Sequence, residues 1–432
     1  MTENRAAAMA CALLMFLTAQ AVLAQTASDT LHYLTTSTEV MTRGEIRDGA
    51  IPSENADDMA MFVQERTRLT LNYRNKGLEM QIMPQHFGIW GMKGNGTLNI
   101  QQAWIQMSSR YGLFTRIGRQ ELYYDDERII GRNDWAMASY MHDAMKFGYE
   151  NGHHKVHLTL AYNQNTRDGQ PYTEGGQVYK SMQTLWYHSD ITPVLGISLL
   201  GMNVGLQSQA TEENRQEWQQ VTGTYIKWHP RDFTLEGSFY YQSGHNDLAI
   251  PIDAWMMSFQ SGWKVNGKWS LNAGYDRLSG EPHFYVAPEG GIGLAQLKRI
   301  NGFNSLFGTR HEFYGAMDFF YVQTYYEGLT PGLQDIHAGV QWKPGSKWAV
   351  NLKYHHLATT VDIPDATSRS LGNEVESTAS WRLMDDVTLT AGYSYMHGTP
   401  TMVQLKRTRE NQQLQWGWLM LVVSPRIFNH KW

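Results

Sequence analysis

The feature that most constrains this sequence is the rhythm of its connections. Tight turn-forming stretches and long polar stretches alternate strictly along the chain. The tight set is Asn75-Lys76-Gly77, Ser109 to Gly112, Asn151-Gly152, Ser189 to Pro193, His229 to Asp232, Asn266-Gly267-Lys268, Lys343 to Ser346 and Met384-Asp385-Asp386. These carry the Gly, Pro, Asn and Asp chemistry that closes β-hairpins. The long set lies around residues 48–59, 88–96, 126–141, 165–178, 208–216, 243–249, 278–330, 359–370 and 398–410. Between them apolar and polar residues alternate with period two, and helical periodicity is hard to find. Short turns at one end and long loops at the other describe an up-and-down antiparallel barrel.

The faces of the strands say what kind of barrel. Val156, Leu158, Leu160 and Tyr162 share one face, with His157, Thr159, Ala161 and Asn163 on the other. Val387, Leu389, Ala391, Tyr393 and Tyr395 repeat the pattern, and Leu414, Trp416, Trp418, Met420 and Val422 form a third apolar set. Leu69, Leu71 and Tyr73 oppose Arg66, Arg68 and Arg74. A strand with three arginines on one face cannot bury that face in an apolar core, but it can line a watery lumen. The expected fold class is therefore all-β: a transmembrane antiparallel barrel of about 18 strands, with long extracellular loops and both termini at the short-turn end.

Composition agrees. Aromatic residues make up 12% of the 432, with 15 Trp and 23 Tyr, while charged residues are only 18%. A mean hydropathy of -0.45 is too polar for a bundle of membrane helices. Trp186, Tyr187, Trp255, Trp263, Trp269, Trp342, Trp348, Trp416 and Trp418 read as interfacial girdles. The formal charge of -5 argues against nucleic acid as a partner. The stretch from Ala6 to Leu23 is small and apolar and ends in Ala24-Gln25. It reads as a signal peptide over residues 1–24, leaving 25–432 as a single barrel domain. The only cysteine, Cys11, falls inside that segment, so no disulfide is expected. Phe428 and Trp432 give an aromatic-ended tail, as barrels of this class commonly carry.

One stretch does not read as wall. Residues 118–143, GRQELYYDDERIIGRNDWAMASYMHD, mix charges of both signs with Ile129, Ile130, Trp135 and Tyr140. A surface loop has no use for such apolar residues. A loop folded into a protein-lined cavity does, because its backbone and charges need fixed partners there. This stretch resembles the signature of the bacterial alginate-export outer-membrane barrels: a Gly-Arg-Gln strand end, an Arg-containing loop with an Asn-Asp-Trp turn, then a strand opening with Asp. FVQERTRLTLNY (Phe62 to Tyr73), FNSLFGTRHEFYGAMDFFY (Phe303 to Tyr321) and LQWGWLMLVVSPRIF (Leu414 to Phe428) resemble further parts of that family. The resemblance covers nearly the whole chain after the signal. It implies an outer-membrane location and passage of an anionic polysaccharide through an arginine-lined pore. Where the family pattern has glycine in the acidic turn, this chain has Asp125-Asp126-Glu127.

The lumen candidates are Arg43, Arg47, Arg66, Arg68, Arg116, Arg119, Gln120, Arg128, Arg132, Asn133, Asp134, Asp143, Arg310 and Asp318. Guanidinium forks grip carboxylates reversibly in a wet channel, which suits a uronate-like polymer. The competing reading is that these arginines pair with carboxylates and tie the wall together. Arg66 and Arg68, two apart on one strand, are expected to face the lumen and to set an anion preference. The segment Phe303 to Tyr321 is expected to act as a plug or lid. His153-His154 and His355-His356 are adjacent and so point to opposite sides, and neither pair is expected to share a metal. An acidic turn such as Asp125-Asp126-Glu127 is commoner without Ca²⁺ than with it, and no metal or cofactor is assigned. No G-x-S-x-G, H-E-x-x-H or phosphate loop is present, so no catalytic residue is named. The expected function is an outer-membrane channel for an anionic polysaccharide or similar solute. Its partners are outer-membrane lipid, that solute, and periplasmic proteins serving export or uptake. The alternatives are a barrel enzyme acting on lipid or saccharide, and a structural barrel with a blocked lumen.

Overall fold

The computed structural model describes residues 31–48, 59–92, 94, 96–163, 179–210, 215–281, 298–309, 311–318, 331–406 and 413–432. The expected signal segment, Cys11 and Arg310 lie outside these. The strands are β1 (Tyr33–Asp48), β2 (Ala60–Arg74), β3 (Leu78–Ile89), β4 (Gly96–Ser108), β5 (Leu113–Gln120), β6 (His142–Glu150), β7 (His154–Tyr162), β8 (Ser181–Thr192), β9 (Leu195–Gln207) and β10 (Gln216–Trp228). They continue as β11 (Phe233–His245), β12 (Pro251–Lys264), β13 (Trp269–Leu278), β14 (Leu333–Gly345), β15 (Trp348–Ala358), β16 (Ser370–Met384), β17 (Val387–Gly398), β18 (Gln413–Val423) and β19 (Arg426–Lys431). Among the described residues a single short helix, α1 (Pro400–Lys406), sits in the last long loop.

Each strand pairs antiparallel with its sequence neighbour, and β1 closes the sheet by pairing with β2 on one side and β18 on the other. β18 and β19 run in succession along β1, broken at Ser424-Pro425. A proline has no N–H to give a ladder, so the strand interrupts there. The two pieces make one stave, and the closed barrel has 18 staves, as the turn rhythm predicts. The connections fall where the sequence places them; at three hairpins the strands run further, leaving only Pro193-Val194, Ser346-Lys347 and Asp385-Asp386 between them. Among the described residues no helix is long and apolar enough to cross a membrane.

The wall alternates as expected. On β7, Leu158 and Tyr162 point outward while His157 and Thr159 are buried inward. Stacked aromatic pairs Phe233–Trp263, Trp269–Trp342 and Trp348–Trp381, with centroids 5.6, 5.8 and 5.1 Å apart, line up on adjacent strands near the tight turns. They form an outward girdle at that end. Three tryptophans correct the girdle reading. Trp186, Trp416 and Trp418 are buried and face inward. On β18 it is Leu419 and Leu421 that face outward.

Those inward tryptophans have something to pack against. Two segments, 121–141 and 298–318, fold into the barrel and meet each other. Gly131 donates its N–H to Phe307 O at 2.8 Å, Phe307 donates to Ile129 O at 3.1 Å, and Thr309 donates to Glu127 O at 2.8 Å. The contact is close enough to demand glycine: a Cβ on Gly131 would lie 2.3 Å from Thr309 Oγ1, and one on Gly308 would lie 2.3 Å from Arg128 O. Leu122, Ile129, Ile130, Phe303 and Phe307 are almost fully buried among wall residues such as Met182, Met202 and Val204. Burying side chains of this size stabilises by roughly 1.5–3 kcal/mol each, which holds the two segments as a plug rather than as free loops.

Candidate pore lining and plug sockets

The β1–β2 wall forms a socket for the plug. On β1, Arg43 Nε lies 2.8 Å from Glu45 Oε1 and Arg47 Nη2 lies 2.9 Å from Glu45 Oε2. Trp416 donates its Nε1–H to the same Glu45 carboxylate at 3.0 Å. Trp135, from the plug, stacks on His311 at 3.9 Å between centroids and lies under the Arg43 guanidinium at 4.1 Å. On β2, Arg66 Nη2 lies 2.7 Å from Glu39 Oε1, and Arg66 Nη1 donates to the carbonyls of Asp134 at 2.9 Å and Ala136 at 3.0 Å. Arg68 reaches Asp134 Oδ1 at 2.7 Å and Ser139 Oγ at 2.8 Å. Carbonyls of a loop without ladder partners must be satisfied inside a barrel, and charged donors do this strongly. Burial works to raise the Asp134 carboxyl, but Arg66 and Arg68 hold it below its ordinary value.

Arg128 is the central tie. It is almost fully buried, and its Nη2 lies 3.0 Å from both oxygens of Asp276 on β13. Its guanidinium sits 4.0 Å over the Phe313 ring, and Nη1 donates to Tyr314 Oη at 3.2 Å. Arg132, more exposed, pairs with Glu127 and lies 4.4 Å over Tyr123. The backbone N–H of Asn133 donates to Thr309 Oγ1 at 3.3 Å. Asp318 bonds His311 Nδ1 at 2.9 Å. Gln120 is fully buried and donates to Ala144 O at 2.9 Å.

Two of the lumen candidates are elsewhere. Arg119 and Asp143 form a bidentate ion pair, at 3.0 and 2.8 Å, on the face of the β5–β6 ladder opposite to Gln120 and His142. Their side chains are 42% and 49% exposed, whereas Gln120 and His142 are buried inward. The pair is a tie on the outer wall, because side chains one residue apart on a strand take opposite faces.

The space left beside the plug forms unlike chambers. One of about 370 Å³ is lined by seven carboxylates, Asp125, Asp126, Glu127, Glu236, Asp276, Glu312 and Asp335, against Arg128 and Lys353 as fixed cations. A second, of about 710 Å³, reaches the tight-turn rim at Ser108, Ser109 and Gly112 and carries Arg116, Lys146 and Lys155 beside Glu121 and Glu150. Asp125 and Glu127 belong to both. Burial pushes the Asp125 carboxyl up to about 6, against hydrogen bonds from Ser198 and Trp186. Arg116 and Lys146 are directly opposite each other on β5 and β6. Arg116 stacks over Trp104 at 3.9 Å and donates to Gln106 Oε1 at 2.9 Å. The sequence reading missed Lys146, although its alternation with the apolar Met145, Phe147 and Tyr149 was the available clue.

Comparison with known proteins agrees with this architecture. The barrel is similar to the crystal structures of Pseudomonas aeruginosa OccK5 (OpdH), at a TM-score of 0.60 and 10% identity over 91% of this chain and 98% of that one. It is similar to Acinetobacter baumannii OccAB1 at 0.61 and 10% over 91% and 97%, and to Pseudomonas aeruginosa OccK2 (OpdF) at 0.61 and 9% over 91% and 98%. At such identities the likeness is one of fold. No curated protein matches the chain. The model of the alginate export family matches residues 91–380, which includes the plug stretch and most of the wall. The chain belongs to the alginate export family, and it is an outer-membrane β-barrel of the channel class.

Proposed function

We propose that the barrel passes anionic solutes, of the class of uronate-containing polysaccharides or smaller carboxylates, along the chamber walled by Arg116, Lys146 and Lys155. One observation carries this reading. Seven arginines singled out in the sequence each have a carboxylate at ion-pair distance: Arg43, Arg47, Arg66, Arg68, Arg119, Arg128 and Arg132. Arg116 and Lys146 have none among the described residues, although they are directly opposed on neighbouring strands. Like charges in that arrangement destabilise a sheet unless something negative comes between them. A passing carboxylate supplies that charge, and release stays easy because the chamber is wet. The arginine-lined lumen implied by the family resemblance is thus mainly a set of structural ties, with the solute path on the β5–β6 side. The barrel sits in outer-membrane lipid through its outward apolar face.

The test is the reversal potential of single channels under a salt gradient. Wild-type protein should prefer anions, and Arg116→Glu with Lys146→Glu should abolish or invert the preference. An unchanged potential overturns the assignment. Absence of conductance with the loops intact overturns the channel itself. Hydrolysis of phospholipid or polysaccharide by the purified protein would favour an enzyme instead.

A further inference from the structure

On the wall of the acidic chamber three side chains converge from two strands. Asp335 and His337 are two apart on β14 and share its inward face; His355 stands directly opposite His337 on β15. All three are buried, Asp335 and His355 almost completely. Asp335 Oδ1 and Oδ2 are each 2.9 Å from His355 Nδ1, and Asp335 Oδ2 is 3.3 Å from His337 Nδ1. The three ligand atoms lie within 4.8 Å of one another. The partner of His355 is therefore not its neighbour His356, which bonds Asn373.

Hydrogen bonding fixes what His337 can present. Gln260 uses its amide nitrogen toward Asp276 Oδ1, at 2.9 Å, and Ser258 Oγ, at 3.0 Å. The reverse orientation would set its oxygen against the Asp276 carboxylate. Gln260 Oε1 therefore faces His337 Nε2, at 2.8 Å, as an acceptor, and Nε2 must carry a proton. A neutral His337 then has a bare lone pair on Nδ1, aimed at the Asp335 carboxylate. Nδ1 is buried and makes no hydrogen bond. Lone pair against carboxylate is repulsive unless a cation lies between them.

We propose that Asp335, His337 and His355 bind one divalent transition-metal ion of the zinc class. Two imidazoles and one carboxylate suit zinc and its neighbours rather than Ca²⁺ or Mg²⁺, which take all-oxygen shells. Metal–ligand bonds of about 2.0–2.1 Å in a tetrahedron space the ligand atoms by roughly 3.3 Å, close to the 2.9 and 3.3 Å separations here. One outer partner is also in place. Gln260 Oε1 accepts from the far nitrogen of His337 at 2.8 Å, the kind of contact that orients a metal-bound histidine and raises its basicity. Glu376 Oε1, 3.8 Å from the far nitrogen of His355, is beyond hydrogen-bond distance and adds only its charge. Three protein ligands leave a fourth position facing the chamber. The nearby Lys353 lines the same cavity and pairs in register with Glu376, which offsets its charge.

The test uses the full chain, without an affinity tag, purified in detergent and stripped with chelator. Titration with Zn²⁺ alone should show one saturable site, and Co²⁺ should give the visible absorption of a low-symmetry, nitrogen-ligated ion. His337→Gln and His355→Gln, checked for folding by the shift in gel mobility on heating, should lose both signals. Gln260→Ala keeps all three ligands and should weaken Zn²⁺ binding about 10–100-fold; it serves if the ligand variants do not fold. No saturable binding by the wild type overturns the site and shows that the cation at Nδ1 is a proton. Binding unchanged in the folded variants overturns it too, and assigns the zinc to surface histidines.

Discussion

Arg128 of the plug and Asp276 of β13 form a doubly bonded ion pair in the barrel interior, with Nη2 3.0 Å from both carboxylate oxygens. Both side chains are nearly inaccessible, at 3% and 1% exposure. Gln260 and His337 extend this contact along the wall to Asp335. The plug is thereby fastened to the wall opposite the Arg66 and Arg68 socket.

Breaking that pair from one side should be costly. Arg128→Ala leaves a buried carboxylate without its cation, and stability should fall by about 3–5 kcal/mol. Arg128→Met with Asp276→Leu removes both charges and should recover most of the loss. Urea unfolding of the purified barrel measures both. Equal losses in the single and double variants would show that packing, not charge, holds the plug.

The β2 arginines should behave differently from the Arg116–Lys146 pair. Arg66→Glu with Arg68→Glu sets new carboxylates against Glu39 and Asp134. The 134–139 segment should leave its socket and single-channel conductance should rise. The anion preference should weaken at the same time, because Glu39 and Asp134 lose their cations, so the rise in conductance is what marks these arginines as ties. A reversed selectivity without any change in conductance would restore them as free pore charges.

Acidification should act through Asp125, which lies between the two chambers. Its carboxyl is pushed up to about 6 by burial, so it is charged above that pH and neutral below it. Moving from pH 7.5 to 5 removes a negative charge from both walls, and the preference for anions should strengthen. Asp125→Asn should flatten this dependence in the same reversal-potential measurement. A pH profile identical in the variant assigns the change to another group.

Sidedness follows from the connections. A cysteine at Asn266, in an exposed tight turn, should be closed to impermeant maleimide on intact cells. One at Thr367, exposed in the long loop before β16, should label. Labelling at Asn266 alone would invert the orientation.

The barrel was legible because turn length and side-chain parity are local signals repeated along the whole chain. The inward fold of residues 121–141 was legible too, since Ile129, Ile130 and Trp135 need partners a surface loop cannot offer. Parity also separates Arg116 from Arg119, three apart on one strand, and Asp143 from His142. Trp416 and Trp418 were not readable, because β18 is apolar on both faces. Only the arrival of Trp135 and His311 from distant segments decides which face turns inward. The carboxylate partners of the arginines were hidden for the same reason. Glu39 and Glu45 sit on β1, and Asp276 lies 148 residues beyond Arg128.

The closing seam sets an order of events for making this protein. Val40 of β1 pairs in register with Val423 of β18, so the contact that completes the wall joins opposite ends of the sequence. Hairpins between neighbouring strands can form as soon as both strands exist. The seam cannot, and contacts this distant are slow to find. Until it forms, β1 and β18 are two unpaired edges with exposed backbone donors and acceptors, each able to recruit strands from another chain. A nascent copy is therefore most prone to aggregation when nearly all its hairpins are already made, and a substitution that weakens only the β1–β18 register should lower the yield of assembled barrel far more than the stability of barrels that have closed.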